Sequence, residues 1–276
     1  STQRNCLFSV AACYVPVPGV TPDDRVLWPL PLFHSLSHIA CVLGVTAIGA
    51  TARIIAADSS PRDVLAALAE QRATVVAGVP ATYHQLLRAA DEDGFTPGDL
   101  RVGLVGGAVT SAELHRAVER VLGLTLVDAY GSTETCGSIA ISPPDGPRVA
   151  GSCGPPVPGV DVLVDDPETG AEVHDGHDGE VWVRGPNVMV GYHGSPEATA
   201  EVLRDGWLRT GDLARREPSG YLVVRGRVRE LIIRGGENIH PVEVESVLRT
   251  VPGVADAAAA GRPHPVLGEV PVAYLV

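Results

Sequence analysis

The chain has 276 residues, enough to bury a full core as one large domain or two smaller ones. Its 33 acidic residues outnumber 21 basic ones, and the net charge of −12 argues against a function built on neutralising nucleic-acid phosphates. Any anionic ligand must be held by local groups. All of the basic residues are Arg, and Lys is absent from the chain.

Cys6, Cys13, Cys41, Cys136 and Cys153 are odd in number and scattered, with no C-x-x-C spacing, which argues against a zinc site and a disulfide framework. No basic n-region precedes an apolar h-region, and the long apolar runs are broken by Gly, Pro or charge. The expectation is a cytoplasmic protein with no membrane span.

Taken in chain order, short Val/Ile/Leu runs alternate with segments of helical period, the pattern of a parallel sheet flanked by helices. The expected strands are residues 25–30, 50–57, 74–78, 101–107 and 124–130. Ser60, Pro61 and Asp63 supply a cap, an N1 proline and an acid for one helix. Thr110 and Glu113 have capping-box spacing for another, whose buried stripe is Leu114, Val118, Val121 and Leu122. After Pro143 the chain becomes rich in Pro and Gly, with short strands expected at 160–164 and 180–185. Near Arg227 it changes again to strand, Gly-Gly turn, helix and a Pro-Gly stop. The expected organisation is an α/β sheet-and-helix part over 1–142, a small mostly β subdomain over 143–226, and the start of an α+β C-terminal subdomain over 227–276.

Five segments sit at the ends of these elements: "LPLFHS" with His34, "VGGA" at 105–108, "YGSTET" at 130–135, "LRTGDL" with Asp212 in a turn, and "GRVREL" with Arg227 after a strand. Ligands of open α/β sheets sit beyond the carboxyl ends of the strands, so the first three are expected to converge on one crevice. Each has a purely structural alternative. Gly106-Gly107 alone is a strand-to-helix turn, Asp212 an Asx-turn, His34 a core histidine, and Thr133 with Glu134 a helix cap.

In order, however, Phe-His, Gly-Gly-Ala, Tyr-Gly-Ser-Thr-Glu, Arg-Thr-Gly-Asp-Leu, Gly-Arg-x-x-Glu-Leu-Ile and Gly-Gly-Glu-Asn-Ile-His-Pro-x-Glu-Val-Glu resemble the adenylate-forming superfamily of acyl-CoA synthetases, nonribosomal adenylation domains and luciferases. "GENIHPVEVE" is more similar to an acyl- or aryl-CoA ligase than to an amino-acid adenylation domain. The resemblance implies attack of a small carboxylic acid on the α-phosphate of ATP to give acyl-AMP and pyrophosphate. The acyl group then passes to the thiol of CoA or of phosphopantetheine on an acyl carrier protein.

Carried over position by position, the resemblance implies that Tyr130 flanks adenine, with the backbone of Gly106, Gly107 and Ala108 on the other side. Thr133 would donate to the α-phosphate, Glu134 would bind Mg2+, Asp212 would accept from the ribose hydroxyls, and Arg227 would donate near the ribose. His34 would gate the carboxylate and pyrophosphate exit. The acyl pocket would be lined by Phe33, His34, Ser37, Gly78, Val79, Tyr83, Ala108, Cys136 and Gly137. Arg229 would be the hinge of the C-terminal subdomain, at a position where Asp or Lys is usual. Gly235 and Gly236 would approach the thiol, and an ordinary β-turn is the alternative for that pair.

Two family elements are missing from this sequence: the Gly-rich loop ending in Pro-Lys-Gly, and the segment carrying the C-terminal catalytic Lys. Arg's planar fork is a poor substitute for a compact ammonium. The expectation is therefore a segment of a longer polypeptide that by itself is inactive or severely impaired. Two functional readings stay open: part of an acid–thiol ligase, free-standing or loading starter units in a modular polyketide or peptide synthase, and an adenylation-like module with a docking or structural role.

Overall fold

Apolar runs without polar alternation need a sheet covered on both faces, and in the computed structural model of this α/β chain those runs form strands. The structure describes every residue except Ala57 and Ala150, and of Asp93 the backbone alone. β1 (Arg25–Trp28), β2 (Thr51–Ile54), β3 (Val75–Gly78), β4 (Val102–Gly106) and β5 (Thr125–Ser132) pair in parallel, in spatial order β2-β1-β3-β4-β5. β3 and β4 are buried at every position, which explains their unbroken apolar sequence. The run expected to be a strand over 50–57 pairs only as far as Ile54, and its last residue, Ala57, lies outside the described residues.

The sheet is mixed rather than wholly parallel, because β6 (Gly137–Ile141) returns antiparallel against β5. The register shifts at Tyr130/Gly131, and a Cβ on Gly131 would overlap the carbonyl of Gly137. Only a residue without a side chain fits that crossing.

Helices cover the sheet. α1 (Gln3–Ser9) continues as a π-helical turn to Tyr14, and a second π-helical stretch, Ser37–Val45, ends in the short α2 (Thr46–Ile48). α3 (Pro61–Glu70) begins with the expected reciprocal cap: Asp63 N–H donates to Ser60 Oγ, and Ser60 N–H donates to Asp63 Oδ2, both at 3.2 Å. α4 (Pro80–Asp93) and α5 (Ala112–Leu122) follow β3 and β4. The cap of α5 is Ser111, not Thr110; Leu114 N–H donates to Ser111 Oγ at 3.1 Å. Thr110 is drawn into the interior, so the exposed hydroxyl beside it takes the helix end. The stripe Leu114, Val118 and Leu122 is buried as expected, joining Leu27, Val76 and Leu126 in the core.

The chain divides into two compact units: Ser1–Val162, Val183–Leu208 and Gly220–Leu222 form the first, and Leu163–Trp182, Arg209–Ser219 and Val223–Val276 the second. β7 (Asp161–Asp165), β8 (Asp178–Arg184), β9 (Leu203–Arg204), β10 (Trp207–Arg216) and β11 (Leu222–Arg227) make a second sheet in order β11-β10-β8-β7, with β9 on β10. α6 (Pro196–Val202) precedes β9. A third sheet, in order β13-β12-β15-β14, contains β12 (Ile232–Arg234), β13 (Glu237–Ile239), β14 (Ala257–His264) and β15 (Gly268–Leu275), with α7 (Pro241–Leu248) between β13 and β14.

Within the first unit, Asp24 is buried beside β1 and gathers Arg101 Nε at 3.0 Å, Thr74 Oγ1 at 2.6 Å and Thr21 N–H at 2.8 Å. Burial alone would raise its pKa, but the hydrogen bonds from Arg101, Thr74 and Thr21 outweigh it and hold the carboxyl at about 2. The folded value lies below the unfolded one of about 3.9, so the stabilisation is complete above that value and is lost as the pH falls toward 2. Urea melts between pH 5 and 2.5 are expected to lose part of their acid sensitivity in Asp24→Asn; an unchanged pH profile would refute this assignment.

Tyr83 is fully buried, and its hydroxyl donates to the carbonyls of Val76 at 3.1 Å and Leu104 at 3.0 Å. Tyr83→Phe is expected to cost about 1 kcal/mol for the lost hydrogen bonding, and Tyr83→Ala about 3–5 kcal/mol for the cavity. Denaturant titration of the pair separates the hydroxyl from the ring.

Candidate nucleotide and acyl site

In the first unit, three strand-end segments meet. After β1 the chain turns at Pro31, whose carbonyl accepts from His34 N–H at 3.3 Å, and His34 Nδ1 accepts from Leu36 N–H at 3.3 Å. Phe33 is 91 % exposed and His34 is exposed, so neither is a core residue. Ser35 Oγ lies 3.4 Å from Thr133 Oγ1, which ties this loop to the end of β5. A Cβ on Gly106 would lie 3.8 Å from Leu36 Cδ2 and 3.0 Å from the Ala129 carbonyl, so the end of β4 abuts both segments. Residues 31–36, 106–108 and 129–134 thus lie beside one another, with Gly107 and Ala108 exposed and Tyr130 half-buried.

The hydroxyls and carboxylate of "STET" divide their tasks. Thr135 is fully buried; its Oγ1 accepts from Ser132 N–H at 3.0 Å and donates toward the carbonyl of Gly137 at 2.7 Å. That side chain closes the single 3-10 turn Thr133–Thr135. Thr133 is left exposed and Glu134 half-buried on the outside of the turn.

No sequence motif gave Tyr192 a role, yet its hydroxyl donates to Glu134 Oε1 at 2.8 Å, and Met189 N–H donates to the Glu134 carbonyl at 2.7 Å. Burial and the bond to Glu134 push the Tyr192 pKa up to about 12, so the phenol is the donor at neutral pH. The local signal was "GYHGSPEAT", in which Gly-Tyr precedes a Ser-Pro-Glu helix start.

The expected acyl-pocket residues occupy different environments. Gly78 and Val79 lie at the β3–α4 junction, where Val79 N–H donates to Thr82 Oγ1 at 3.3 Å. Tyr83 lies in the core as described, with its ring 2.9 Å from where a Gly78 Cβ would be. Ser37 is fully buried, and its Oγ has no hydrogen-bond partner among the described residues. Cys136 and Gly137 are buried, and behind Gly137 the Tyr14 and Ser138 hydroxyls pair at 3.1 Å. Burial raises the Cys136 pKa, which keeps its thiol protonated and unsuited to attack.

In the second unit, Asp212 lies within β10 rather than in a free turn, although Gly211 beside it has φ +73°. Its N–H donates to Thr210 Oγ1 at 3.1 Å, and Thr210 donates in turn to the Val181 carbonyl at 2.8 Å. The buried Asp212 carboxylate faces Arg227 Nε at 3.3 Å, so two residues singled out separately in the sequence form one pair between the neighbouring strands β10 and β11. Arg209 braces β10 through a two-pronged bond to the buried Glu180, at 2.8 and 2.7 Å. Arg229 is 74 % exposed in the turn after β11. Gly235 and Gly236 form the two-residue loop between β12 and β13, with φ +61° and +89°. This type I′ geometry demands glycine for the turn itself.

Among the described residues no three His, Cys, Asp or Glu side chains cluster as a metal cage. Mg2+ takes one or two carboxylates and fills its remaining positions with phosphate oxygens and water. The outward carboxylate of Glu134, next to the exposed Thr133 hydroxyl, fits that donor set. Among the described residues no helix is long and apolar enough to cross a membrane.

Residues 1–193 match the family of AMP-binding enzymes, and residues 243–276 match the C-terminal domain of AMP-binding enzymes. The chain is 42 % identical over 263 residues to a feruloyl-CoA synthase of Amycolatopsis sp, covering 92 % of this chain and 51 % of that protein. It is 40 % identical over 284 residues to the chalcone synthase cfoA of Aspergillus candidus, covering 100 % of this chain and 10 % of that protein. Among solved structures, ATP-bound MatB from Rhodopseudomonas palustris superposes with a TM-score of 0.90 at 35 % identity, covering 99 % of this chain and 53 % of that one. O-succinylbenzoate Coenzyme A synthetase (MenE) from Bacillus subtilis, in complex with ATP and magnesium ion, gives a TM-score of 0.87 at 34 % identity, with 99 % and 56 % covered. The chain thus spans about half the length of these ligases and a tenth of the chalcone synthase. With matches over most of its length, the chain belongs to the AMP-binding enzyme family, the adenylate-forming superfamily that includes the acyl- and aryl-CoA ligases.

Proposed function

We propose that this chain carries the nucleotide- and acyl-handling part of a ligase that activates a carboxylic acid with ATP as an acyl-AMP and passes the acyl group to a thiol. The observation that carries the reading is the turn Thr133–Thr135, which buries Thr135 and presents Thr133 and Glu134 beside the loop of His34. The ATP-bound neighbours and the ligase relatives support it.

In the first step a substrate carboxylate oxygen attacks the α-phosphorus. A new P–O bond forms, and the bond to the β-phosphate oxygen breaks, releasing pyrophosphate. Thr133 donates its hydroxyl proton to an α-phosphate oxygen as charge builds there, the kind of pre-placed donor that stabilises a transition state without reorganisation. Glu134 would hold Mg2+, which supplies charge neutralisation on the phosphate oxygens when bound. Tyr130 offers its ring to adenine, with the Gly106–Ala108 backbone opposite. In the second unit the Asp212 carboxylate, facing Arg227, offers the two acceptor oxygens that suit the vicinal diol of a ribose. His34 orients the acid, and Val79 and Ala108, which keep accessible surface, are the pocket residues placed to meet the acyl chain, while Ser37, Gly78, Cys136 and Gly137 are buried behind it.

In the second step a thiolate attacks the acyl carbonyl, and AMP leaves. CoA or a carrier-protein phosphopantetheine is the acceptor class, with the Gly235-Gly236 loop at its approach and Arg229 as the pivot. The similarity to cfoA, of which this chain covers only a tenth, supports starter loading within a longer synthase as one setting for the reaction.

Calorimetry with a non-hydrolysable acyl-sulfamoyl adenosine series tests the reading. Asp212→Ala is expected to weaken binding by about 1–3 kcal/mol, roughly 5- to 150-fold, by leaving ribose hydroxyls unpaired. No binding to the unsubstituted chain, or equal binding to Asp212→Ala, would overturn it. In a longer polypeptide that carries the phosphate loop and the catalytic lysine, Thr133→Ala is expected to lower kcat by about 10- to 1000-fold with little change in nucleotide affinity, measured by pyrophosphate exchange.

A further inference from the structure

The segment after β8 is pinned at several points, and together they place one phenol. Asn5 is buried and donates both Nδ2 protons, to the carbonyls of Pro186 at 2.8 Å and Val188 at 2.9 Å. The next residue, Met189, gives its N–H to the carbonyl of Glu134 at 2.7 Å. Three residues later the chain is clamped again: Thr199 Oγ1 accepts from Tyr192 N–H at 2.9 Å and donates to the Ser195 carbonyl at 2.8 Å. Between these clamps Tyr192 reaches Glu134 Oε1 at 2.8 Å. A half-exposed loop tyrosine gains little by packing. Here its backbone N–H is held by Thr199, and its hydroxyl is fixed on Glu134, the residue proposed to bind the metal.

A carboxylate with one oxygen engaged by a rigid O–H donor has its plane and rotamer set. Its second oxygen is then presented for single-oxygen ligation, and partners of this kind tune metal affinity by orienting the ligand. We propose that Tyr192 is a positioning residue that holds Glu134 Oε1 so that Oε2 meets the divalent ion in one orientation. Asn5 and Thr199 act through Tyr192 by fixing the loop that carries it. This rests on the assignment of Glu134 as the metal ligand made above. The opposite arrangement, a phenol that occupies the carboxylate and must leave before a chelating ion enters, predicts the opposite sign.

The test is Mn2+ affinity, read by electron paramagnetic resonance of free Mn2+ in the presence of saturating α,β-methylene-ATP. It compares the unsubstituted chain with Tyr192→Phe, Glu134→Gln and Thr199→Val, with thermal melts confirming that each is folded. Tyr192→Phe is expected to weaken Mn2+ about tenfold or more, with Thr199→Val in the same direction and the affinity for the methylene analogue without metal unchanged. Unchanged or tighter Mn2+ binding in Tyr192→Phe, with Glu134→Gln weakened, would overturn the role of Tyr192 alone. Unchanged binding in Glu134→Gln would overturn the metal assignment of Glu134, and the role of Tyr192 with it.

Discussion

The crossing of Gly131 over the carbonyl of Gly137 is the constraint on which the first unit's chemistry depends. β5 must pair with parallel β4 on one edge and with antiparallel β6 on the other, so the chain has to reverse within a few residues of its carboxyl end. The absence of a Cβ at 131 lets the two backbones pass, and the residues between them are forced into a single tight turn. Thr135 spends its hydroxyl on that turn, and Thr133 and Glu134 are displaced outward as a result. The outward placement of Thr133 and Glu134 is thus a by-product of how a parallel sheet acquires an antiparallel edge.

The second unit is organised by arginine–carboxylate pairs. Glu180 is almost wholly buried, and an isolated carboxylate there would be costly to desolvate. The planar fork of Arg209 offsets that cost through two parallel hydrogen bonds, and Arg215 reaches both oxygens of Asp178 at 2.8 and 3.2 Å in the same manner. A lysine, with a compact ammonium, does not supply this geometry. The all-arginine composition therefore has a structural consequence in this sheet: Asp178 and Glu180 bind Arg215 and Arg209, braced on β10, the strand that carries Asp212.

Much of the sheet was legible in the sequence because buried parallel strands are continuous apolar runs bounded by turn residues, as β3 and β4 show. The start of α3 was legible for a similar reason, since Ser60, Pro61 and Asp63 act on their own helix. The shift of the α5 cap from Thr110 to Ser111 was not, because two adjacent hydroxyls are locally equivalent and packing chooses which one stays outside. β6 escaped because its sequence, Gly-Ser-Ile-Ala-Ile, follows directly on a polar turn and opens with Gly and Ser rather than with an apolar run.

The residues of the candidate site divide in the same way. Thr133, Glu134, Asp212 and Arg227 could be picked out because each stands in a short, ordered motif with a chemically suitable side chain. That Asp212 and Arg227 form a pair, and that Tyr192 rests on Glu134 from 58 residues away, could not be read in the same manner. The sequence by itself determined the apolar periodicity, the helix caps within a turn, the glycines at the sharp reversals and the inventory of polar groups, because these act between neighbours along the chain. Only the tertiary structure decided which carboxylate received which donor, since a hydrogen bond between distant segments depends on the packing that brings donor and acceptor within about 3 Å of each other.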